Sequence, residues 1–121
     1  MLFKPLRIAV ASKDGIAINE HFGHAKLFWI YDLDHEGCWF KEKRNVDHYC
    51  LGGHSDKSAL SKILTTISDC SAVFVAKIGD GPAEKLSDKG IQAVSEYTWE
   101  EIEESLKDYF NKQDFENQTY A

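Results

Sequence analysis

Side chains that commonly bind transition metals occur in two short stretches of the chain that contain glycine. His21 and His24 stand three residues apart around Gly23, and Cys50 and His54 bracket a pair of glycines. Imidazole is the commonest metal ligand among side chains, and a thiolate is a softer ligand that suits iron and zinc. A glycine lets the backbone come close to a ligand and can take a positive φ. Together, the two stretches predict a composite metal or cluster site.

Further glycines at Gly52, Gly53, Gly79 and Gly81 lie in the same kind of loop, and we include them as candidate binding positions. Each candidate also has a plainer explanation. The histidines are compatible with a solvated turn, and Cys50 is compatible with a small buried hydrophobe. Of the remaining cysteines, Cys38 and Cys70 each lie in or beside an apolar segment and are expected to be structural.

The composition fits one domain in the cytoplasm. The chain has 121 residues, of which 43% are hydrophobic and 28% charged, and it contains no apolar run long enough to cross a membrane. Its net charge of −6 argues against nucleic acid as a partner, because such surfaces need clustered Lys and Arg. Three cysteines without a signal peptide indicate free thiols in a reducing compartment. We assign residues 1–110 to the domain and 111–121 to a polar C-terminal tail.

The hydrophobic pattern predicts the element order βββαβαβα. The predicted strands span residues 6–11, 27–31, 38–44, 72–76 and 91–94. The first predicted helix spans residues 59–67, the second begins at Pro82, and the third follows Thr98. Thr98 and Glu101 form a capping-box pattern, and Trp99 is expected to face inward. If the first three strands form a meander, the second is antiparallel to all the others. The class is therefore α/β, with a five-stranded mixed sheet and helices on both faces.

This topology brings separate loops together. The loops after strands 1, 3 and 4 leave the same edge of the sheet, where ligands of open α/β sheets bind. We therefore expect His21 or His24 to lie within reach of the loop that holds Cys50. His21 is the preferred ligand, because His24 directly precedes strand 2 and His21 is expected to be freer in the loop.

Four segments resemble the dinitrogenase iron–molybdenum cofactor biosynthesis family. They are Arg7-Ile8-Ala9-Val10-Ala11, Glu20-His21-Phe22-Gly23-His24-Ala25, Val46-Asp47-His48-Tyr49-Cys50-Leu51-Gly52-Gly53 and Ala76-Lys77-Ile78-Gly79-Asp80-Gly81-Pro82. That family includes stand-alone cofactor carriers and the C-terminal domain of the radical enzyme that builds the cofactor's iron–sulfur core. Its fold is a ribonuclease H-like three-layer α/β/α sandwich.

The resemblance implies a role in nitrogen fixation as a non-catalytic carrier. The cargo would be an iron–sulfur precursor of the iron–molybdenum cofactor, or the finished cofactor, and the partners would be nitrogenase cofactor-assembly proteins. His21, His24 and Cys50 match the family's histidine and cysteine elements and would be the metal ligands. His54 adjoins the matched glycine pair. Cluster synthesis is not expected, because the radical enzyme needs three closely spaced cysteines and those of this chain are far apart.

Other functions remain open at this point. His21, His24, Cys50 and His54 also suit a mononuclear zinc site, although their spacing matches no zinc-finger pattern. A protein-interaction module without any ligand is a further alternative. A nuclease would need clustered carboxylates, and near the predicted edge only Asp14 and Asp80 are available.

Overall fold

Five strands form one mixed sheet in the computed structural model, which describes residues 6–34, 36–46 and 56–119. The strands are β1 (Leu6–Ala11), β2 (Leu27–Asp34), β3 (Gly37–Asn45), β4 (Ala72–Phe74) and β5 (Gln92–Val94). Their order across the sheet is β3-β2-β1-β4-β5. The pairs β1–β2 and β2–β3 are antiparallel, whereas β1–β4 and β4–β5 are parallel. The predicted mixed sheet, with only the second strand reversed, is confirmed.

Helices cover both faces, because the central strands are apolar on both sides. Along β1, Ala9 and Ala11 face one core, which is closed by α1 (Asp56–Thr66) and α2 (Asp80–Asp88). Ile8 and Val10 face the other core, which is closed by α3 (Ile102–Thr119). All four of these β1 side chains are fully buried. The predicted three-layer α/β/α arrangement is therefore present.

The structure differs from the prediction at the helix boundaries. Helix α2 begins two residues before Pro82, with Gly79 as its N-cap. Helix α3 begins at Ile102 and continues to Thr119, into the segment that was predicted to be a tail. The Thr98 hydroxyl donates to the carbonyls of Ala76 and Ser95, so the predicted capping box does not form. The prediction that Trp99 faces inward is wrong, because its side chain is 69% exposed.

Three strand ends meet at one edge of the sheet. The register pairs Ala11, at the end of β1, with Phe28 near the start of β2, and Leu27 with Asn45 at the end of β3. At the end of β4, Phe74 pairs with Val10. The shared edge predicted for the loops after strands 1, 3 and 4 is therefore confirmed, and it contains the switch point between β1 and β4.

A network of charged side chains ties the end of α1 to three strands. Asp69, just after α1, accepts hydrogen bonds from Arg7 of β1 at 2.9 Å and from Arg44 of β3 at 2.7 Å. Arg7 also bonds Asp32 of β2 at 2.8 Å, and Arg44 bonds the carbonyl of Thr66 at 2.9 Å. The two guanidinium groups hold the pKa of the Asp69 carboxyl well below its usual range, Arg44 contributing most. The network fixes the helix that follows the Cys50 loop in the chain.

This network predicts a specific sensitivity to acid. A carboxyl whose pKa is lowered by folding stabilises the protein above its unfolded pKa of about 3.9, and the contribution is lost as the pH falls below that value. We expect Asp69→Asn to lower the free energy of unfolding at pH 7 by about 0.5–1 kcal/mol, since the network is partly exposed. The variant should also lose less stability than the wild type between pH 5 and pH 2. Urea unfolding at both ends of that range measures this, with Asp88→Asn, on the exposed end of α2, as the control. Equal acid sensitivity of Asp69→Asn and wild type would contradict the assignment.

None of the helices in the described part of the chain combines the length and the apolar character that crossing a membrane requires.

Candidate cofactor-binding edge of the sheet

The loop from β1 to the first histidine is held by its own side chains. The Asp14 carboxylate accepts hydrogen bonds from the backbone N–H groups of Ile16 and Ala17 at 2.9 and 3.2 Å, which lowers the pKa of this carboxyl. The buried Ser12 hydroxyl accepts from the N–H of Gly15 at 2.9 Å. Gly15 has φ of 76°, and a Cβ there would lie 2.4 Å from the Trp29 ring, so this position requires glycine. The loop therefore has one defined path towards His21.

The backbone of His21 is fixed against the exit of β4. His21 forms a parallel bridge with Lys77, the N–H of Phe22 donates to the Lys77 carbonyl at 2.9 Å, and that of Ala76 donates to Glu20 at 2.9 Å. The sequence argument that His21 lies free in its loop is therefore wrong. Its side chain is nevertheless exposed, as is that of Lys77. Partners in a parallel bridge project their side chains to the same side, so His21 and Lys77 leave the backbone in the same direction at the switch point.

The two histidines lie at the ends of a single 3-10 turn, Phe22–His24, that is anchored in the core; His21 is its N-cap and His24 its last residue. The His24 N–H donates to the His21 carbonyl at 3.1 Å. The two imidazole rings are stacked, with centroids 5.5 Å apart and 13° between their planes. Between them in sequence, Phe22 is buried and packs against Phe28 at a centroid distance of 6.4 Å. A buried aromatic side chain thus holds two exposed imidazoles side by side.

Three exposed glycines border this pair, and neither the backbone nor the packing requires glycine at any of them. Gly23, Gly79 and Gly81 all lie outside the set of glycines with positive φ. Gly23 therefore does not use the positive φ that is open to glycine. A Cβ at Gly23 or Gly81 would meet nothing within 4 Å, and one at Gly79 would meet only Pro82 at 3.6 Å. The absence of side chains at these positions leaves the backbone of this edge open to a ligand.

Helix α2 begins at the same edge. Its N-cap residue is Gly79, in an extended conformation and without a side-chain cap. The backbone N–H groups of Asp80 and Gly81 follow in the first turn, and Pro82 contributes none. The N-terminus of a helix carries partial positive charge and favours anions. This end of α2 therefore adds to the positive charge of Lys77 a few residues away.

The second predicted stretch, with Cys50, Gly52, Gly53 and His54, lies outside the described residues. The residue at which the chain leaves β3 towards this stretch is described, however. Val46 follows β3 directly, is buried, and donates its N–H to the Lys26 carbonyl at 2.9 Å. Lys26 is two positions after His24 in the sequence. The chain therefore leaves β3 close to the first histidine stretch. The approach of Cys50 to the histidines stays a prediction.

Lys77 is the site residue that the sequence reasoning did not single out. The bridge joins residues 56 positions apart (77 − 21), so no local pattern reveals it. The other cysteines behave as expected. Cys70 is buried in the core beside α1, and burial, reinforced by the neighbouring Asp69, raises the pKa of its thiol to about 12. Cys38 is half-buried, and burial likewise raises its pKa.

No group of three or more His, Cys, Asp or Glu side chains that could hold a metal ion occurs among the residues whose placement is described. Within that part of the chain, His21 and His24 are therefore a pair without a third His, Cys, Asp or Glu close enough to complete a metal site. The Asp14 carboxylate, which a nuclease would need for metal binding, is engaged by the backbone of its own loop.

Comparison with known proteins agrees with this architecture. The family model described as dinitrogenase iron–molybdenum cofactor matches residues 4–112. The FeMo cofactor biosynthesis protein NifB of Herbaspirillum seropedicae is 45% identical over 105 residues, which cover 87% of this chain and 20% of that protein. NifB of Bradyrhizobium diazoefficiens is 46% identical over 103 residues, or 85% of this chain and 21% of that protein. The chain thus spans about a fifth of the length of the curated relatives it matches.

A solved structure supports the fold independently. The crystal structure of PH0822 matches with a TM-score of 0.56 and 22% identity, over 74% of this chain and 77% of that one. At this identity the likeness concerns the fold alone. The family match extends over almost the whole of the described sheet and its helices, including both histidines and the β4 exit. The chain therefore belongs to the dinitrogenase iron–molybdenum cofactor family.

Proposed function

We propose that the chain binds an iron–sulfur precursor of the iron–molybdenum cofactor, or the finished cofactor, and passes it to other cofactor-assembly proteins without catalysing a reaction itself. The observation that carries this proposal is the pair of exposed imidazoles, His21 and His24, at the switch point of the sheet and beside Lys77. Membership of the cofactor family supports the nature of the cargo.

The ligand chemistry suits a carrier. Neutral imidazole coordinates iron, and a small number of protein ligands allows release to the next protein. Cys50 would add a thiolate, which is the usual ligand of iron–sulfur clusters, and His54 a further imidazole. Both remain proposed ligands. Two adjacent imidazoles held on a 3-10 turn define where the cargo would attach first.

The open backbone supports a large ligand. A cluster is bulkier than a single ion and needs a surface without protruding side chains. Gly23, Gly79 and Gly81 provide such a surface around the histidines, and in the proposed site Gly52 and Gly53 would extend it. Because packing does not require glycine at the first three positions, close approach of a ligand is a physical reason for their presence.

Lys77 would contribute charge. Protein-bound iron–sulfur cargo with thiolate or sulfide ligands is anionic, and Lys77 lies beside His21 without an ion-pair partner among the described residues. We expect Lys77→Gln to weaken cargo binding about three- to tenfold at low ionic strength, and less at high ionic strength, because salt screens an exposed charge. Anaerobic titration at two salt concentrations measures this effect.

The control for this prediction is Lys89→Gln, at the far end of α2, which should leave the affinity unchanged. An equal loss for both variants would indicate a general effect of net charge. An unchanged affinity in Lys77→Gln would remove Lys77 from the site.

The zinc alternative is separated from the cluster proposal by metal content. Protein purified anaerobically after exposure to the cofactor precursor should retain iron together with sulfide. A single zinc ion that resists exchange for iron would instead favour the mononuclear site. If neither binds, the ligand-free interaction module becomes the better explanation.

A further inference from the structure

Trp99 is exposed on the surface and has an unfavourable backbone conformation. Its φ is 70°, the only positive value at a non-glycine position within the described ranges, and its side chain is 69% exposed. Bulky residues rarely adopt this region, because the Cβ is crowded by the backbone, and such strain persists only where the surroundings impose it. An exposed indole gains no burial in return. The position therefore needs an explanation other than the stability of the isolated chain.

Long-range hydrogen bonds impose this conformation. The N–H of Trp99 donates to the Ile18 carbonyl at 2.8 Å, and the N–H of Ile18 donates to the Glu100 carbonyl at 3.0 Å. The N–H of Ile102 donates to the Ile16 carbonyl at 2.8 Å, and Ala17 bridges Glu101. Ile16, on the partner segment of this short ladder, is itself 63% exposed. We call the exposed surface around Trp99 the Trp99 platform.

The surroundings of the platform are strongly acidic. Residues 91–106 contain five glutamates and no Lys or Arg. The glutamates are all exposed, and none forms an ion pair with another residue in the described part of the chain: Glu96, Glu100, Glu101, Glu103 and Glu104. Trp is enriched among the residues that carry affinity in protein–protein interfaces, and surrounding charge of one sign favours a partner of the opposite sign.

We propose that the Trp99 platform docks a partner protein through a segment that carries Lys or Arg next to a bulky apolar side chain. Charge complementarity selects this occupant. A second copy of this chain would bring two acidic surfaces together, which would repel each other. Nucleic acids and anionic membranes carry the same sign of charge as the platform and would also be repelled. The apolar side chain of the partner would cover Trp99, and its basic groups would pair with the glutamates.

The platform adjoins the histidine edge but does not depend on it. The Thr98 hydroxyl donates to the Ala76 carbonyl at 2.9 Å, and Ala76 directly precedes Lys77. A docked partner would therefore stand next to His21. The docking proposal goes beyond cargo binding and would hold even if the cargo were a different one.

Selection from a random peptide library displayed on phage, with the full chain as bait, tests the proposal. We expect the enriched peptides to place Lys or Arg beside an apolar residue. A synthetic copy of an enriched peptide should lose at least about tenfold in affinity to Trp99→Ala and Trp99→Gly, and should bind more weakly as salt is raised. The control Trp39→Ala removes an indole that is 46% exposed on β3, beside Lys41 and Lys43, and should change the affinity less than about twofold.

Trp99→Gly also separates docking from folding. Glycine adopts a positive φ without strain, so the melting temperature of this variant should equal or exceed that of the wild type. A lowered melting temperature would show that Trp99 serves the fold. Enriched peptides without basic residues, binding that survives Trp99→Gly, or a failure to enrich any peptide would each overturn the docking proposal.

Discussion

Replacing His21 by Ala is expected to weaken the binding of the iron–sulfur cofactor precursor about ten- to a thousandfold, at about 1.4 kcal/mol for each factor of ten. The loss follows from removing one ligand of a small set. The imidazole is exposed and the bridge to Lys77 is made by the backbone, so the apo protein should keep its stability within about 0.5 kcal/mol. Anaerobic titration and thermal unfolding of the apo variant measure the two quantities.

A histidine elsewhere in the chain offers a matched control. In the sequence, His35 is next to Asp34, which pairs with Gly37 at the opposite end of the sheet. His35→Ala should therefore leave the affinity unchanged, whereas His24→Ala should lower it, since its ring is stacked on that of His21. Undiminished affinity in His21→Ala would remove this residue from the site. A large loss of apo stability would instead assign it a structural role.

Replacing Phe22 by Ala is expected to lower the free energy of unfolding by about 3–5 kcal/mol, the usual cost of removing a fully buried aromatic side chain. Phe22 is 2% exposed and packs against Phe28 under the turn that carries both histidines. Urea unfolding of the apo protein measures the loss. Phe40→Ala removes the same atoms from a position on β3 that is 49% exposed, and should cost about 1 kcal/mol.

Phe22→Leu provides a milder test if the alanine variant does not fold. It keeps an apolar side chain in the core but leaves space beneath the 3-10 turn, so the apo fold should persist while cargo affinity falls. A loss of less than about 1 kcal/mol in Phe22→Ala would show that the turn does not depend on this anchor.

Local sequence patterns were sufficient for the sheet. The run Leu6–Ala11 forms the central strand with the predicted bounds, and its last four residues are fully buried on both faces of the sheet. The charged stretch Lys41–Arg44 lies on the edge strand β3, as predicted. Strand direction followed from a meander of the first three strands and from right-handed crossovers to the later ones, and it placed the loops after β1, β3 and β4 at one edge. These features depend on composition and local periodicity, which a single sequence contains.

The failures concern contacts between distant segments. Thr98 and Glu101 have the pattern of a capping box, but residues 99–102 pair with residues 16–18 instead, so α3 begins later and Trp99 points outward. The same applies to the site. His21 and His24 were identified from their spacing, whereas Lys77 reaches them only through a bridge between two loops. Neither loop has a local sequence pattern that indicates such a pairing.

The most direct test of the proposed function is anaerobic titration of the apo chain with purified cofactor precursor, followed by desalting, iron and sulfide analysis, and EPR spectroscopy. The account predicts that iron and sulfide stay with the wild-type chain, with a changed EPR spectrum, and that both are lost in the double variant His21→Ala/His24→Ala. Iron and sulfide that pass through the column in the presence of a folded wild-type chain, or that are retained equally by the double variant, would contradict it.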